Sequence, residues 1–317
     1  MMKVLMLFVI VLPLAGCSES VVFKINVHDE EGKPVTNAVV NIKTLKRLVG
    51  VNVKPNDYRW IKASSDTNGV VTVKFDLVST NFRYWLTADG YYSLPFHEVG
   101  YRMKKDHLIY VELAEHEKEE SIILRKVSNP IPMFGYGSPS WLGEKLPIHG
   151  EYGFDMMAGD FIAPYGKGNV PDFFIRKNYD NKSRDGKSAL FFKGKGNGAY
   201  KIKAFTDSEF RSCYVADTNA AFKTEFRHEY IKEDKEFCWR EVCDVNEDEC
   251  LVLRTRCRYD EKGNLVSCHY SKIYGKIEIR SYFQFRGYAF NSMPNDPNLE
   301  FDVKQNLLKK DTAPYLP

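Results

Sequence analysis

Cysteine is the side chain with the widest chemical scope in this 317-residue chain. Six of the seven cysteines, Cys213, Cys238, Cys243, Cys250, Cys257 and Cys268, fall in one stretch. A thiol can join a second thiol, hold a metal or attack as a nucleophile. Structural zinc sites pair their ligands as C-x₂₋₄-C, and only Cys238 and Cys243 stand that close. An even set in an exported chain reads as disulfides. Spacing does not fix the pairing. Cys257 and Cys268 would face each other across a two-residue hairpin turn, whereas a three-residue loop would put them on opposite faces. Zinc and free thiols remain the alternatives.

Other chemistry is weaker. Asp244, Asn246 and Asp248 alternate as calcium-loop ligands do, but Cys250 stands where that loop needs glycine. Gly186-Lys187-Ser188 has Asn181 where a phosphate loop needs its first glycine. His228-Glu229 is not followed by a second histidine at metalloprotease spacing, and Ser138 has Tyr136 where a nucleophile elbow needs glycine. Asp155 with Asp160, or Asp172 with Asp180, could serve as a glycosidase pair. With 42 acidic residues such pairs are common, so they carry little weight. No cofactor or metal is expected, and the chain reads as non-enzymatic. The alternative is an extracytoplasmic hydrolase acting on glycans or peptides. A cleft with two facing carboxylates would favour the hydrolase, and a flat aromatic face would favour binding.

The compartment comes from residues 1–17, MMKVLMLFVIVLPLAGC. Lys3 gives a positive start, residues 4–14 are apolar, and Ala15 and Gly16 are small. That order is an export signal. As a helix the apolar run would rise only ~16 Å, about half a hydrocarbon core, so it does not span. Leu14-Ala15-Gly16-Cys17 resembles the lipobox of bacterial lipoproteins. The resemblance implies that residues 1–16 are removed and that the thiol of Cys17 takes a diacylglycerol, with acyl chains such as palmitate. Two or more chains hold a protein stably on a membrane. Ser18 and Glu19 follow, with no aspartate after the cysteine. In a Gram-negative cell the resemblance then implies the outer membrane.

Removing residues 1–16 leaves 301 residues (317 − 16), enough for two domains. Lys3 goes with the leader, leaving 44 basic residues (45 − 1) against 42 acidic, a net of +2. That balance gives no electrostatic case for nucleic acid or for an acidic partner. The expected class is all-β: an N-terminal sandwich over residues 17–130, then a larger, mostly antiparallel β domain over 131–317 with few short helices.

In the first domain, residues 21–27 alternate apolar and polar, as a half-buried strand does. Gly32 and Pro34 turn the chain, and Asp66-Thr67-Asn68-Gly69 turns it again. Further strands are expected around residues 35–42, 71–75, 82–86, 108–113 and 122–124. "VHDEEGKPVTNAVV" at 27–40, "SDTNGVVTVKF" at 65–75, "LTADGYY" at 86–92 and "IILRKV" at 122–127 resemble the carboxypeptidase regulatory-like domain. The resemblance implies a transthyretin-like or Ig-like sandwich that acts as a spacer or binding module. Residues 44–62 make a longer connection than that family has, ending in Tyr58 and Trp60. Trp60 is expected to cap the core; the alternative is an exposed aromatic pair that contacts a glycan or a partner.

The second domain begins at a proline joint, Asn129-Pro130-Ile131-Pro132. Strands are expected at 161–163, 173–175, 189–192, 200–205 and 277–285, with a hairpin of 250–259 and 265–273. A short helix is expected near 216–226. "GDFIAPYGKGNVPDFF" at 159–174 and "PNDPNLEFD" at 294–302 resemble uncharacterised domains that follow such sandwiches in bacterial lipoproteins. No activity comes with that likeness. The expected protein is a lipid-anchored binding or structural module of the cell envelope. Its partners would be the membrane, through Cys17, and an envelope protein or glycan, met through aromatic surface around Trp141, Tyr152 or Tyr165.

Overall fold

The computed structural model describes residues 19–46, 54–77, 81–100, 117–137, 146–180, 186–203, 214–232, 239–246 and 248–308. The leader, Cys17, the expected strand at 108–113, Ser138, Trp141, Asn181, Cys213 and Cys238 lie outside the described residues. The chain divides into two compact units, residues 1–126 and 127–317.

The first unit has β1 (Glu19–Asp29), β2 (Val39–Leu45), β3 (Tyr58–Ser64), β4 (Val70–Leu77), β5 (Asn81–Thr87), β6 (Leu94–Gly100) and β7 (Glu117–Leu124). They form two sheets, ordered β4-β1-β7 and β3-β2-β5-β6. Successive side chains of a strand point to opposite faces. Val21, Phe23, Ile25 and Val27 of β1 therefore share one face, which meets Val40 and Ile42 of β2 and Phe82, Tyr84 and Leu86 of β5 in a single core. The turns are built by side chains. Asp29 accepts from the amides of Glu31 and Lys33, and Asp66 from those of Asn68 and Val70. Gly69, at φ +75, is needed as glycine, because a Cβ there would lie 2.3 Å from the Val27 carbonyl oxygen.

The register fixes which ends meet. Glu19 pairs with Leu77, three residues join Leu77 to Asn81, and Asn81 pairs with Gly100. Lys43 opposes both Arg83 and Trp60, and Leu45 opposes Tyr58. The start of β1 and the hairpin end of β2 and β3 therefore share one end of the unit. β7 runs parallel to β1 and leaves at the other end, with Leu124 beside Asp29.

The second unit has β8 (Phe134–Gly137), β9 (His149–Asp155), β10 (Asp160–Phe161), β11 (Phe173–Asn178), β12 (Gly186–Phe191), β13 (Gly198–Lys203), β14 (Glu225–Lys232), β15 (Trp239–Cys243), β16 (Glu249–Tyr259), β17 (Leu265–Tyr274), β18 (Glu278–Ile279), β19 (Phe283–Gln284) and β20 (Gly287–Phe290). Six strands run β10-β9-β11-β12-β14-β15, five run β13-β16-β17-β20-β8, and β18 pairs with β19. The two large sheets share one core. Phe154, Phe173, Ile175, Leu190 and Phe226 come from the first, and Leu251, Leu253, Ile273, Tyr288 and Phe290 from the second.

The all-β expectation holds: helical turns among the described residues are single 3₁₀ turns such as Pro55–Asp57 and Val303–Gln305. Two local readings are corrected. Residues 216–224 form no helix; the chain there is held by isolated bridges, and β14 begins at Glu225. The alternating stretch 277–285 is not one strand. It folds back as β18 and β19, which still buries Ile277, Ile279, Phe283 and Phe285. The proline stretch is tied into the second unit. Glu300 accepts from the amides of Ser128 and Asn129, and Ile131 bridges to Phe301.

Candidate functional site

Three places gather reactive or recognition-capable side chains. The first is acidic. Arg256, at φ +53 in an irregularity of the β16–β17 pairing, sends its guanidinium to both Asp155 and Asp172. Its Nε and Nη2 donate to the two oxygens of Asp172, each at 2.8 Å, and Nη2 donates to Asp155 Oδ1 at 2.8 Å. Asp172 also accepts from the Thr255 hydroxyl and the Met156 amide. Asp155 also accepts from four amides, those of Met157, Ala158, Asn169 and Val170. Burial works against the charge of Asp155, but the amides of Asn169 and Val170, with Arg256, hold it below the usual carboxylate range. Burial pushes Asp172 upward, against the pull of the guanidinium.

A hydrolytic pair needs oxygens open to a sugar or a water. Every oxygen of Asp155 and Asp172 is committed. Asp160 faces Asp155 across β9 and β10, but its oxygens accept from the amides of Phe161 and Lys167. Asp172 and Asp180 stand at opposite ends of β11, roughly 25 Å apart at strand rise. That is far beyond the separation of a glycosidase pair. The Asp155–Arg256–Asp172 group is thus a structural clasp from β9 in one sheet to β16 in the other.

The second place is a cavity of about 660 Å³ lined by Glu241, Val242, Cys243, Asn246, Asp248 and Lys276. Behind it lies the buried His228, directly across the β14–β15 pair from Cys243. A thiol beside a histidine is the start of a nucleophilic site. Here the histidine is occupied. The Ile279 amide donates to Nδ1 at 3.2 Å, which leaves the Nε2 proton to donate to Glu241 at 2.8 Å. Glu241 also accepts from Tyr230 at 2.6 Å and Lys276 at 2.6 Å. Burial pushes the Cys243 thiol up, and its Sγ donates to the Val245 carbonyl. Among the described residues no base is aimed at this thiol, and burial keeps it from the thiolate form. Asp244 is spent on Arg227, accepting from its amide and guanidinium. Among the described residues no group of acids, histidines or cysteines is arranged to hold a metal.

Among the described residues no disulfide joins Cys243, Cys257 or Cys268, and two of the other candidates, Cys213 and Cys238, lie outside them. The β16–β17 hairpin is present, and a register shift between Thr255 and Arg258 sets the two residues Arg256 and Cys257 against Cys268. Cys257 and Cys268 sit at one small apolar cluster. Burial pushes the Cys257 thiol up to about 11, the form least given to reaction.

The third place is the outer face of the β3-β2-β5-β6 sheet. Alternation sends Arg59, Ile61 and Ala63 toward the core side and Tyr58, Trp60 and Lys62 outward. Trp60 is 58% exposed, so it does not cap the core as expected. Its ring meets that of Trp85 edge-on at 5.1 Å, across β2. The Lys43 ammonium lies 4.1 Å from the Tyr58 ring centroid and 5.3 Å from that of Trp60. The result is an aromatic surface with a lysine over two of its rings. Trp85 carried no signal in the sequence reading, although its alternation with Tyr84 and Leu86 puts it outward. Of the aromatic residues expected at a contact surface in the second unit, Tyr152 is 3% exposed and donates to the carbonyls of Pro147 and His149. Tyr165 is exposed and leans edge-on against it.

No protein-family model matches the chain, and no curated protein matches it. Similar solved structures include 3-chlorocatechol 1,2-dioxygenase from Rhodococcus opacus 1CP, at 15% identity and TM-score 0.27 over 36% of this chain and 62% of that one. They also include a DUF3823 family protein from Parabacteroides merdae ATCC 43184, at 6% identity and TM-score 0.20 over 86% and 99%. A third is BcpA, the major pilin subunit of Bacillus cereus, at 10% identity and TM-score 0.24 over 91% and 97%. The chain spans less than two thirds of the dioxygenase it matches. At these TM-scores no function transfers.

Proposed function

We propose that this is a lipid-anchored cell-envelope protein that acts by contact, as a binding or structural module, and not by chemistry of its own. The face of exposed Trp60 and half-buried Trp85, with Lys43 held over the rings of Tyr58 and Trp60, carries the reading. Large rings exposed beside a cation offer stacking and charge to a partner at low entropy cost. The resemblance to carboxypeptidase regulatory-like domains, which serve as spacers or binding modules, supports the same reading. The lipobox resemblance at Cys17 supports the anchor. In the catalytic candidates the oxygens of Asp155 and Asp172, both ring nitrogens of His228 and the thiol of Cys243 are engaged within the fold. Incubation of the full chain with peptidoglycan and with peptide substrates should give no turnover. Turnover lost on Asp155→Asn or Cys243→Ser would contradict the proposal.

A further inference from the structure

The aromatic, lysine-bearing face runs to one particular end of the first unit. β1 begins at Glu19, two residues after Cys17, so at most about 7 Å of chain separates a lipid on Cys17 from the start of the sandwich. The register places the β2–β3 hairpin at that same end, through Glu19 with Leu77, the short step to Asn81, and Asn81 alongside the Leu45 end of β2. The hairpin end carries Lys43, Lys46 and Lys54, with Leu45, Tyr58 and the exposed Trp60 beside them; its acids are Asp57 and, in register with Arg83 beside Lys43, Glu98 of β6. The carboxylate of Asp57 is turned to the Lys54 amide, at 2.8 Å. Lys46 and Lys54 are exposed. The other sheet brings Glu19, Asp76 and Glu117 to this end, and the exposed lysines stand on the hairpin side.

We infer that this hairpin end docks on an anionic lipid surface, that of the membrane holding the lipid anchor. The inference rests on the anchored-module reading above and names the partner of its aromatic face. The chemistry is complementary. Lysines near a negatively charged leaflet are each attracted to it, and tryptophan and tyrosine settle at the headgroup level, where one end of the ring is apolar and the other wet. Leu45 adds apolar area at the same edge. The dock would fix how the first unit stands on the bilayer, with the β2–β3 side down and the Asp29–Leu124 end away from it. A lipid alone holds the chain at the surface without setting its orientation.

The test uses the full chain carrying Cys17→Ser, so that no lipid contributes, sedimented with vesicles of phosphatidylcholine with and without phosphatidylglycerol. The chain should bind the anionic vesicles, lose that binding as salt rises, and show a blue shift of tryptophan emission on binding. Lys43→Glu, Lys46→Glu and Lys54→Glu together should weaken the binding about 100-fold. Lys33→Glu, at the other end, should leave it unchanged. Circular dichroism of each variant reports that the β fold is kept, and the salt dependence of the parent chain needs no variant. Equal binding to neutral vesicles, or binding indifferent to the triple reversal, would overturn the inference. So would binding to a soluble acidic polysaccharide with none to anionic vesicles. The leader, identical in every chain compared, adds the same to each. Failure of the anchor is read separately, by fatty-acid labelling of the unsubstituted chain.

Discussion

At the scale of single residues the second unit rests on Arg256. Its backbone sits in the left-handed region and its guanidinium joins two buried carboxylates. Removing one partner of a buried charge group strands the others. Arg256→Ala should cost about 3–5 kcal/mol in urea unfolding, and Arg256→Lys less, because a point charge replaces the fork but stays positive. Equal stability of Arg256→Ala and the parent would contradict the clasp. His228 gives a pH dependence. Burial pushes its ring below the ordinary histidine range, although Glu241 beside it favours the charged form. The groups facing it are Glu241, Tyr230 and Glu278, with Lys276 and Arg280 on Glu241. The unfolded chain takes up the proton at about pH 6.5, and the folded one only below that. The stability from this ring is therefore whole above about pH 6.5 and is lost as pH falls through the folded value. Burial works against the charge of Glu241, yet Lys276 and His228 hold its carboxyl below the usual range, so its loss has the same sign at lower pH. Thermal midpoints should fall from pH 7 to pH 5, and His228→Asn should flatten that fall; an unchanged slope would contradict it. Asp155 and Asp172 were visible in the sequence as acids. Arg256, 84 residues beyond Asp172, was not, because no local spacing signals a contact made between two sheets.

At the scale of elements, turns and strand faces were legible because their causes are local. The Asp66–Gly69 turn shows this. Gly69→Ala combines a left-handed backbone with a Cβ 2.3 Å from a backbone oxygen, whereas a Cβ at Gly32 meets nothing within 4 Å. Gly32→Ala should cost about 1 kcal/mol, and Gly69→Ala about 3 kcal/mol or more, by urea unfolding. Equal costs would mean that the turn relaxes around the new methyl. Other features were not legible. Trp60 and Ile61 are both apolar, so alternation separates their faces without saying which is inner. In 277–285 alternation reported burial correctly and strand length wrongly, because two short strands facing one core repeat the same pattern. The register shift in β16 that sets both Arg256 and Cys257 against Cys268 was not legible either.

At the scale of the whole molecule, the all-β class was legible from period and turn spacing. The face proposed to meet a partner was not, since it is assembled from β2, β3 and β5, which are apart in sequence. What joins the levels is position: the start of β1, two residues after Cys17 in sequence, and the lysine-bearing hairpin belong to one end of the first unit. A protein held there by acyl chains and a basic edge should respond differently to the loss of each. The most direct measurement is fatty-acid labelling with membrane fractionation of cells making the chain with Cys17 or with Cys17→Ser. Cys17 should be labelled and stay with the membranes at high salt. Cys17→Ser should be unlabelled and released at high salt, where screening removes the remaining attraction of the lysines. A Cys17→Ser chain that keeps its label, or that stays on membranes at high salt as firmly as the parent, would contradict the account.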